Sequence, residues 1–351
     1  MNAALAPLFL VLLPQTTDDP WEPRNSGSQA SLRGLSAVDE RVCWASGSGG
    51  TVLRTVDGRT FEPRPVAGAE ELDFRDVHAF DAERAVVLSA GTPARVYRTD
   101  NGGADWQLAF EHPDERAFFD AMAFWDERRG LAFSDPIDGK LVVIRTADGG
   151  RTWTPLPPDA FPDSPEGEAG FAASGTCLAV GADGEAWIGL GGTAGARLFR
   201  TGDGGATWST HATPLAQGLP SAGVFSLALL DAGRGVAVGG DYATPEATAA
   251  NAATTADGGR TWAPAETPPR GYRSCVVTVD VAGASQLLAA GPTGTDVSLD
   301  AGRTWTAHSE VGWHVLAVGG DGAVWAAGSD GRIARLARHT GEDADDETEE
   351  R

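Results

Sequence analysis

Beyond residue 20, apolar residues fall in short clusters of strand length rather than along a stripe of helical period. Between Phe74 and Trp106 three such runs appear, FRDVHAF (74–80), RAVVLS (84–89) and RVYRT (95–99); a polar turn follows, and Trp106 opens a fourth. The next stretch repeats the plan with 118–125, 130–134 and 141–146 before a turn and Trp153. Each unit therefore predicts four antiparallel strands joined by hairpins.

The turns before these tryptophans are copies of one another. They read Thr99-Asp-Asn101-Gly-Gly103-Ala-Asp-Trp106, Thr146-Ala-Asp148-Gly-Gly150-Arg-Thr-Trp153, Thr201-Gly-Asp203-Gly-Gly205-Ala-Thr-Trp208, Thr255-Ala-Asp257-Gly-Gly259-Arg-Thr-Trp262 and Ser298-Leu-Asp300-Ala-Gly302-Arg-Thr-Trp305. A first copy, Thr55-Val-Asp57-Gly58-Arg-Thr-Phe61, is one residue short and closes with Phe; a seventh, Ser329-Asp330-Gly331, is degenerate and lacks the aromatic. In such a turn Asp or Asn accepts hydrogen bonds from nearby amides, Gly supplies positive φ, and the aromatic anchors the following strand. The closing aromatics at 61, 106, 153, 208, 262 and 305 are 43 to 55 residues apart, the period of a propeller blade. The expected fold is all-β, a seven-bladed β-propeller of four-stranded antiparallel blades over residues 21–338. The last unit, 313–337, holds only three strands, and Trp21-Glu-Pro-Arg24 resembles the strand that follows each turn. An N-terminal strand is thus expected to complete the last blade and close the ring, removing a free sheet edge.

Composition agrees with many tight turns and large anchors: 46 Gly and 11 Trp against 3 Tyr and 2 Met in 351 residues. A formal charge of −22 repels polyphosphate and anionic head groups, so nucleic acid is not an expected partner. Part of that charge lies in an acidic tail, 339–351, expected to be disordered. Near the N-terminus, Ala3 to Leu13 is an apolar run suited to a signal-peptide core and too short to span a bilayer. No Lys or Arg precedes it and no A-x-A site follows before Asp18, so export to the periplasm or beyond stands beside a cytoplasmic chain that keeps residues 1–20. A monomer with no stable membrane insertion is expected. Cys43, Cys177 and Cys275 lack CxxC spacing and read as small core residues. The Gly-Gly pairs belong to hairpin turns and the six His show no ligand spacing, so neither a cofactor nor a metal is expected.

The S/T-x-D-x-G-x-T-W copies resemble the Asp-box (BNR) repeats of sialidases and related propellers. Across nearly the whole chain the spacing is similar to the photosystem II assembly and stability factor family. Asp120-Ala-Met-Ala-Phe-Trp125, Ser134-Asp-Pro136, Ser221-Ala-Gly-Val-Phe225, Gly239-Gly-Asp-Tyr242 and Gly271-Tyr-Arg-Ser274 resemble its non-photosynthetic bacterial branch, whose members carry the labels oxidoreductase or glycosyl hydrolase. For the photosynthetic members the resemblance implies an assembly scaffold that recognises its partner through an arginine-rich surface. This chain departs from that pattern, with Arg33, Arg75 and Arg273 scattered and the net charge negative.

If the repeated turn joins the third and fourth strands on one face, the loops entering each first strand and those joining the second and third open on the other. These loops are irregular and carry Arg75, Asp120, Asp135, Glu168, Asp241, Tyr242, Tyr272, Arg273 and His314 without a repeat-level reason. Loops on a rigid scaffold concentrate binding residues, so the channel mouth on this face is the expected site. The plainer reading is that these groups satisfy strand ends, with Arg75 and Asp120 pairing across neighbouring blades. The expected function is a non-catalytic binding or assembly scaffold for a protein partner. The alternative is a glycan-binding or sialidase-like propeller, in which Tyr272, Glu168, Asp135 and Arg273 would imitate part of a hydrolase site, although the Arg-Ile-Pro motif is missing.

Overall fold

The computed structural model describes residues 19–231, 233–281 and 283–337, so the apolar run 3–13 and the acidic tail 339–351 lie outside the described residues. One unit shows how the sequence builds its sheets. Asp73–Ala79, Ala85–Ala90, Arg95–Thr99 and Gln107–Glu111 pair in chain order as three antiparallel hairpins. Ala85–Ala90 (AVVLSA) is buried throughout, because a neighbouring sheet covers each of its faces; this is why it reads as a continuous apolar run rather than an alternating one. Gln107–Glu111, on the outside, is mostly exposed.

Among the described residues there are five four-stranded sheets and one of nine strands. The nine-stranded sheet is two units of the same plan joined at a single pairing, Gly191 with Gly223. The first strands pack side by side in chain order, Leu32–Ala37 on Asp73–Ala79, that on Phe119–Phe124, and so on to Val315–Val318, which packs back on Leu32–Ala37. Trp21–Arg24 runs antiparallel to Ile333–Leu336 with Trp21 opposite Leu336, and the Trp21 indole meets Trp313 edge-on at 5.5 Å. The three cysteines are free and buried in the cores, as expected.

The repeated turns join third to fourth strands. At Asp148 one carboxylate oxygen accepts the Thr146 hydroxyl at 2.9 Å and the Arg151 and Thr152 amides at 3.0 Å, while the other accepts the Thr152 hydroxyl at 2.6 Å. Gly149 and Gly150 lie at φ 76° and 84°, and the Trp153 indole donates back to the Gly150 carbonyl at 3.2 Å. Trp208, Trp262 and Trp305 close their turns in the same way, whereas Trp106 donates to Arg64 of the preceding sheet. Ser329-Asp330-Gly331 is a correction to the sequence reading. It forms a short 3-10 turn between Val324–Ala327 and Ile333–Leu336, the second and third strands of its sheet, so it sits on the opposite face from the other copies. In this sheet the fourth strand comes from Trp21–Arg24, and no third-to-fourth turn is needed.

Candidate functional site

A cavity of about 390 Å³ opens on the loop face. Its shape follows from a recurring irregularity in the first strands, where the register slips at one residue: between Leu32 and Gly34, Phe74 and Asp76, Phe119 and Ala121, and Val224 and Ser226. The skipped residues are Arg33, Arg75, Asp120 and Phe225. A bulge lifts its extra residue out of the ladder and re-aims its side chain. Three of these four line the cavity, and Asp120 does not.

The cavity has a cationic side and an aromatic side. Arg33 and Arg75 stand on adjacent sheets and donate to the carbonyls of Ala173 and Ala172, at 3.2 and 3.0 Å, so both guanidiniums are fastened to the cavity floor. Asp73 steadies Arg75 through Nε at 2.6 Å. Burial, and then the neighbouring Arg75 charge, lower the Arg33 pKa from its ordinary value. His314 donates from Nδ1 to the Leu32 carbonyl at 3.0 Å, which assigns its tautomer and leaves Nε2 as an acceptor. Burial, with Arg33 nearby, holds its pKa at about 4, so it is neutral at physiological pH.

On the aromatic side Phe171 stacks on Phe225 at 3.9 Å, and Tyr272 meets Phe225 edge-on at 4.7 Å. These rings and Ala173 form a small cluster of their own, separate from the sheet cores. Tyr242, 53% exposed, stands at the rim. Burial pushes the Tyr272 phenol up, so it stays protonated. Among the described residues no carboxylate lines this cavity, in a chain whose formal charge is −22. The arrangement suits a ligand with an anionic group at one end and an apolar or aromatic group at the other.

Of the residues expected at the mouth, Arg75, Tyr242, Tyr272 and His314 converge, and five do not. Arg273 is fully buried, its Nε 2.7 Å from Asp296 Oδ2 and its Nη1 on Thr293 and the Tyr272 carbonyl. Glu168 is buried and clasped by Arg197, with Nη2 to Oε2 at 2.8 Å. Asp135 accepts the Gly170 amide at 2.6 Å, and burial moves its pKa up to about 6. Asp241 closes its own loop by accepting the Ala243 amide and the Thr244 hydroxyl, both at 2.9 Å. Asp120 is fully buried beneath Gly170 and pairs with nothing among the described residues, so the expected Arg75–Asp120 pair gives way to Arg75–Asp73. Glu168 is held by Arg197 and Asp135 by Gly170, and neither carboxylate lines the cavity beside Tyr272.

Sequence reasoning left Arg33 among scattered charges and passed over Phe171 and Phe225. The usable signal was alignment of the first strands, Leu32-Arg33-Gly34, Phe74-Arg75-Asp76, Phe119-Asp120-Ala121 and Val224-Phe225-Ser226, whose middle residue is Arg in two units, Asp in the third and Phe in the fourth of these.

No family model matches this chain, and no curated protein matches it. Among solved structures it is similar to one described as YCF48 bound to D1 peptide, with TM-score 0.65 and 18% identity over 93% of this chain and 97% of that one. The chain is a β-propeller. YCF48 from Cyanidioschyzon merolae has the same TM-score at 17% identity, over 90% of this chain and 98% of that one. A streptogramin B lyase structure matches with TM-score 0.61 and 11% identity, over 90% and 97%. At these identities the likeness is one of fold.

Proposed function

We propose that this propeller is a non-catalytic binding or assembly scaffold that holds a segment of a protein partner in the loop-face cavity. The observation that carries the reading is the convergence of Arg33 and Arg75 with an aromatic floor, with no lining carboxylate among the described residues, in a strongly acidic protein. An acidic side chain or a chain terminus would pair with the guanidiniums while an aromatic or aliphatic side chain covers Phe225 and Tyr242. A structural neighbour described as holding a D1 peptide supports a peptide as the ligand class. In this reading the ring has seven blades, counting the nine-stranded sheet as two, and the N-terminal strand closes it. Closure keeps the first and last sheets in register at the mouth, where Arg33 and His314 meet.

Panning a random peptide library on the full chain tests this. Selected peptides are expected to pair an acidic group with an aromatic or large apolar residue. The Arg33→Gln/Arg75→Gln variant, which keeps amide donors for the floor carbonyls, should weaken them by about tenfold or more per charge removed. Arg41→Gln/Arg59→Gln, at a separate pocket beside the Asp57 turn, should leave them unchanged. Selection of basic peptides, full binding by the first variant, or turnover of fluorogenic glycosides would overturn the reading.

A further inference from the structure

The fourth unit differs from the rest in its first strand. Elsewhere that strand is one run, as in Phe119–Phe124; here it is split into Glu168–Ala169 and Leu178–Val180, both paired to Ala186–Gly192. Residues 170–177 leave the sheet and cross toward the other first strands. Arg33 and Arg75 hold the Ala173 and Ala172 carbonyls, the Ser174 hydroxyl donates to the Ser274 carbonyl at 2.7 Å, and the hydroxyls of Thr176 and Ser226 meet at 2.6 Å. One short segment is thereby fastened to four other units, and its residues 171–173 floor the loop-face cavity.

Two glycines of the crossing, one at its start and one near its end, are pressed onto buried carboxylates. A Cβ on Gly170 would lie 2.4 Å from Asp120 Oδ2, and one on Gly175 would lie 2.4 Å from Asp76 Oδ1. Asp76 accepts the Val77 and Met122 amides, each at 2.8 Å, but burial outweighs them and raises it well above the ordinary carboxylate value. Asp120 has no hydrogen-bond partner among the described residues, and Asp135 reaches Gly170 from the other side through its amide. The hinge of the crossing therefore sits between two carboxylates, one of them buried and unpartnered. A buried carboxylate without a donor or a counter-ion is stable only when protonated.

We propose that residues 170–177 form a proton-linked plug, seated across the propeller axis while Asp120 and Asp135 hold their protons and released as they ionise, so that the loop-face cavity loses its floor as pH rises. The charges around Asp120 do not offset its ionisation. Asp135 opposes it from the following strand; Arg75 favours it from the neighbouring first strand but is engaged with Asp73; Cys177, at the far end of the plug, is buried and neutral and senses both Asp120 and Asp76. Glu168, next to the hinge, is neutralised by Arg197. Burial raises Asp120 well above the ordinary carboxylate value and takes Asp135 to about 6, outweighing the Gly170 amide that favours its ionised form.

The sign follows from linkage. Groups whose pKa is raised in the seated form leave it unpenalised below their ordinary value of 3.8 and disfavour it increasingly as pH climbs to the raised value. Asp135 alone then increases the open fraction by up to tenfold per pH unit, about thirtyfold between pH 4 and 6, and Asp120 extends the slope to higher pH. This behaviour does not depend on what the cavity binds.

Hydrogen exchange of the full chain from pH 5 to 8, corrected for the intrinsic rate, tests it without any ligand. Opening of 171–177 should rise with pH while the strand Cys275–Val281 shows no such slope, and Asp120→Asn/Asp135→Asn should flatten the rise. A flat wild-type profile, a slope shared by Cys275–Val281, or a slope unchanged in the double variant would overturn the proposal. Should that variant fail to fold, Asp135→Asn alone, at the less buried carboxylate, must shorten the slope below pH 6.

Discussion

Arg273 and Asp296 are both completely buried, and Asp296 also takes Arg270 through its other oxygen at 2.9 Å. Asp296→Asn removes the anion from this cluster and leaves the Arg273 cation facing an amide in a dry environment. Stranding a buried charge in this way costs about 3–5 kcal/mol. Arg270 adds little, because it is one-third exposed and keeps Glu310. With melting shifts of about 2–4 °C per kcal/mol, typical of large single domains, the variant should melt on the order of 10 °C lower. Replacing both partners, Arg273→Met with Asp296→Leu, removes the uncompensated charge and should regain at least about half of that loss, since apolar pairs of similar volume often substitute for buried ion pairs. Calorimetry on the single and double variants, with peptide binding measured on each folded protein, separates structure from recognition. If Asp296→Asn lowers stability by less than about 1 kcal/mol, or Arg273→Met abolishes peptide binding at an unchanged melting temperature, the assignment of Arg273 to the framework fails.

Removing residues 1–28 takes away Trp21–Arg24 and with it the partner of Ile333–Leu336; the loss of the buried Trp21 indole alone is worth about 3–5 kcal/mol, so a melt that stays where it was would count against closure. The repeated turns should respond to acid. The Thr261 hydroxyl and amide hold Asp257 well below the ordinary carboxylate range, so its contribution is present above the ordinary value of 3.8 and is lost as pH falls below it. In an NMR titration the Thr261 amide should move in that acid window and stop moving in Asp257→Asn, and an Asp257→Asn spectrum that still titrates there would refute the role given to this carboxylate.

The repeat made most of the fold readable because one local solution recurs. A hydroxyl, an Asp, a positive-φ Gly and a returning indole satisfy the same hairpin in unit after unit, and at Ala301 the pattern survives a non-glycine at φ 62° because the Ser298 hydroxyl and the Asp300 carboxylate still hold the turn. Ser329-Asp330-Gly331 was misplaced for the complementary reason. Without the trailing aromatic, those three residues specify only a left-handed turn, and such a turn serves a second-to-third strand connection equally well.

The site was hard to read because charge is a poor guide to exposure in a sheet this thoroughly covered. Arg273, Glu168 and Asp120 looked like loop chemistry, but two of them are held in buried ion pairs whose partners, Asp296 and Arg197, lie 23 and 29 residues away. Those partners come within reach through the strands between them, Ala284–Gly291 for Asp296 and Ala186–Gly192 for Arg197. What does distinguish the cavity is the bulge at the same place in four first strands. A residue inside the ladder must suit the face it packs on, and that constraint makes the preceding Leu32, Phe74, Phe119 and Val224 all apolar in these four units. The bulged residue faces neither core, so packing leaves its chemistry open, and the units fill it with Arg, Arg, Asp and Phe. Two cations and one aromatic ring therefore line one cavity through one backbone irregularity, with the fourth such residue, Asp120, buried outside it, and in the proposed function the position that the repeat leaves unspecified is the one that does the binding.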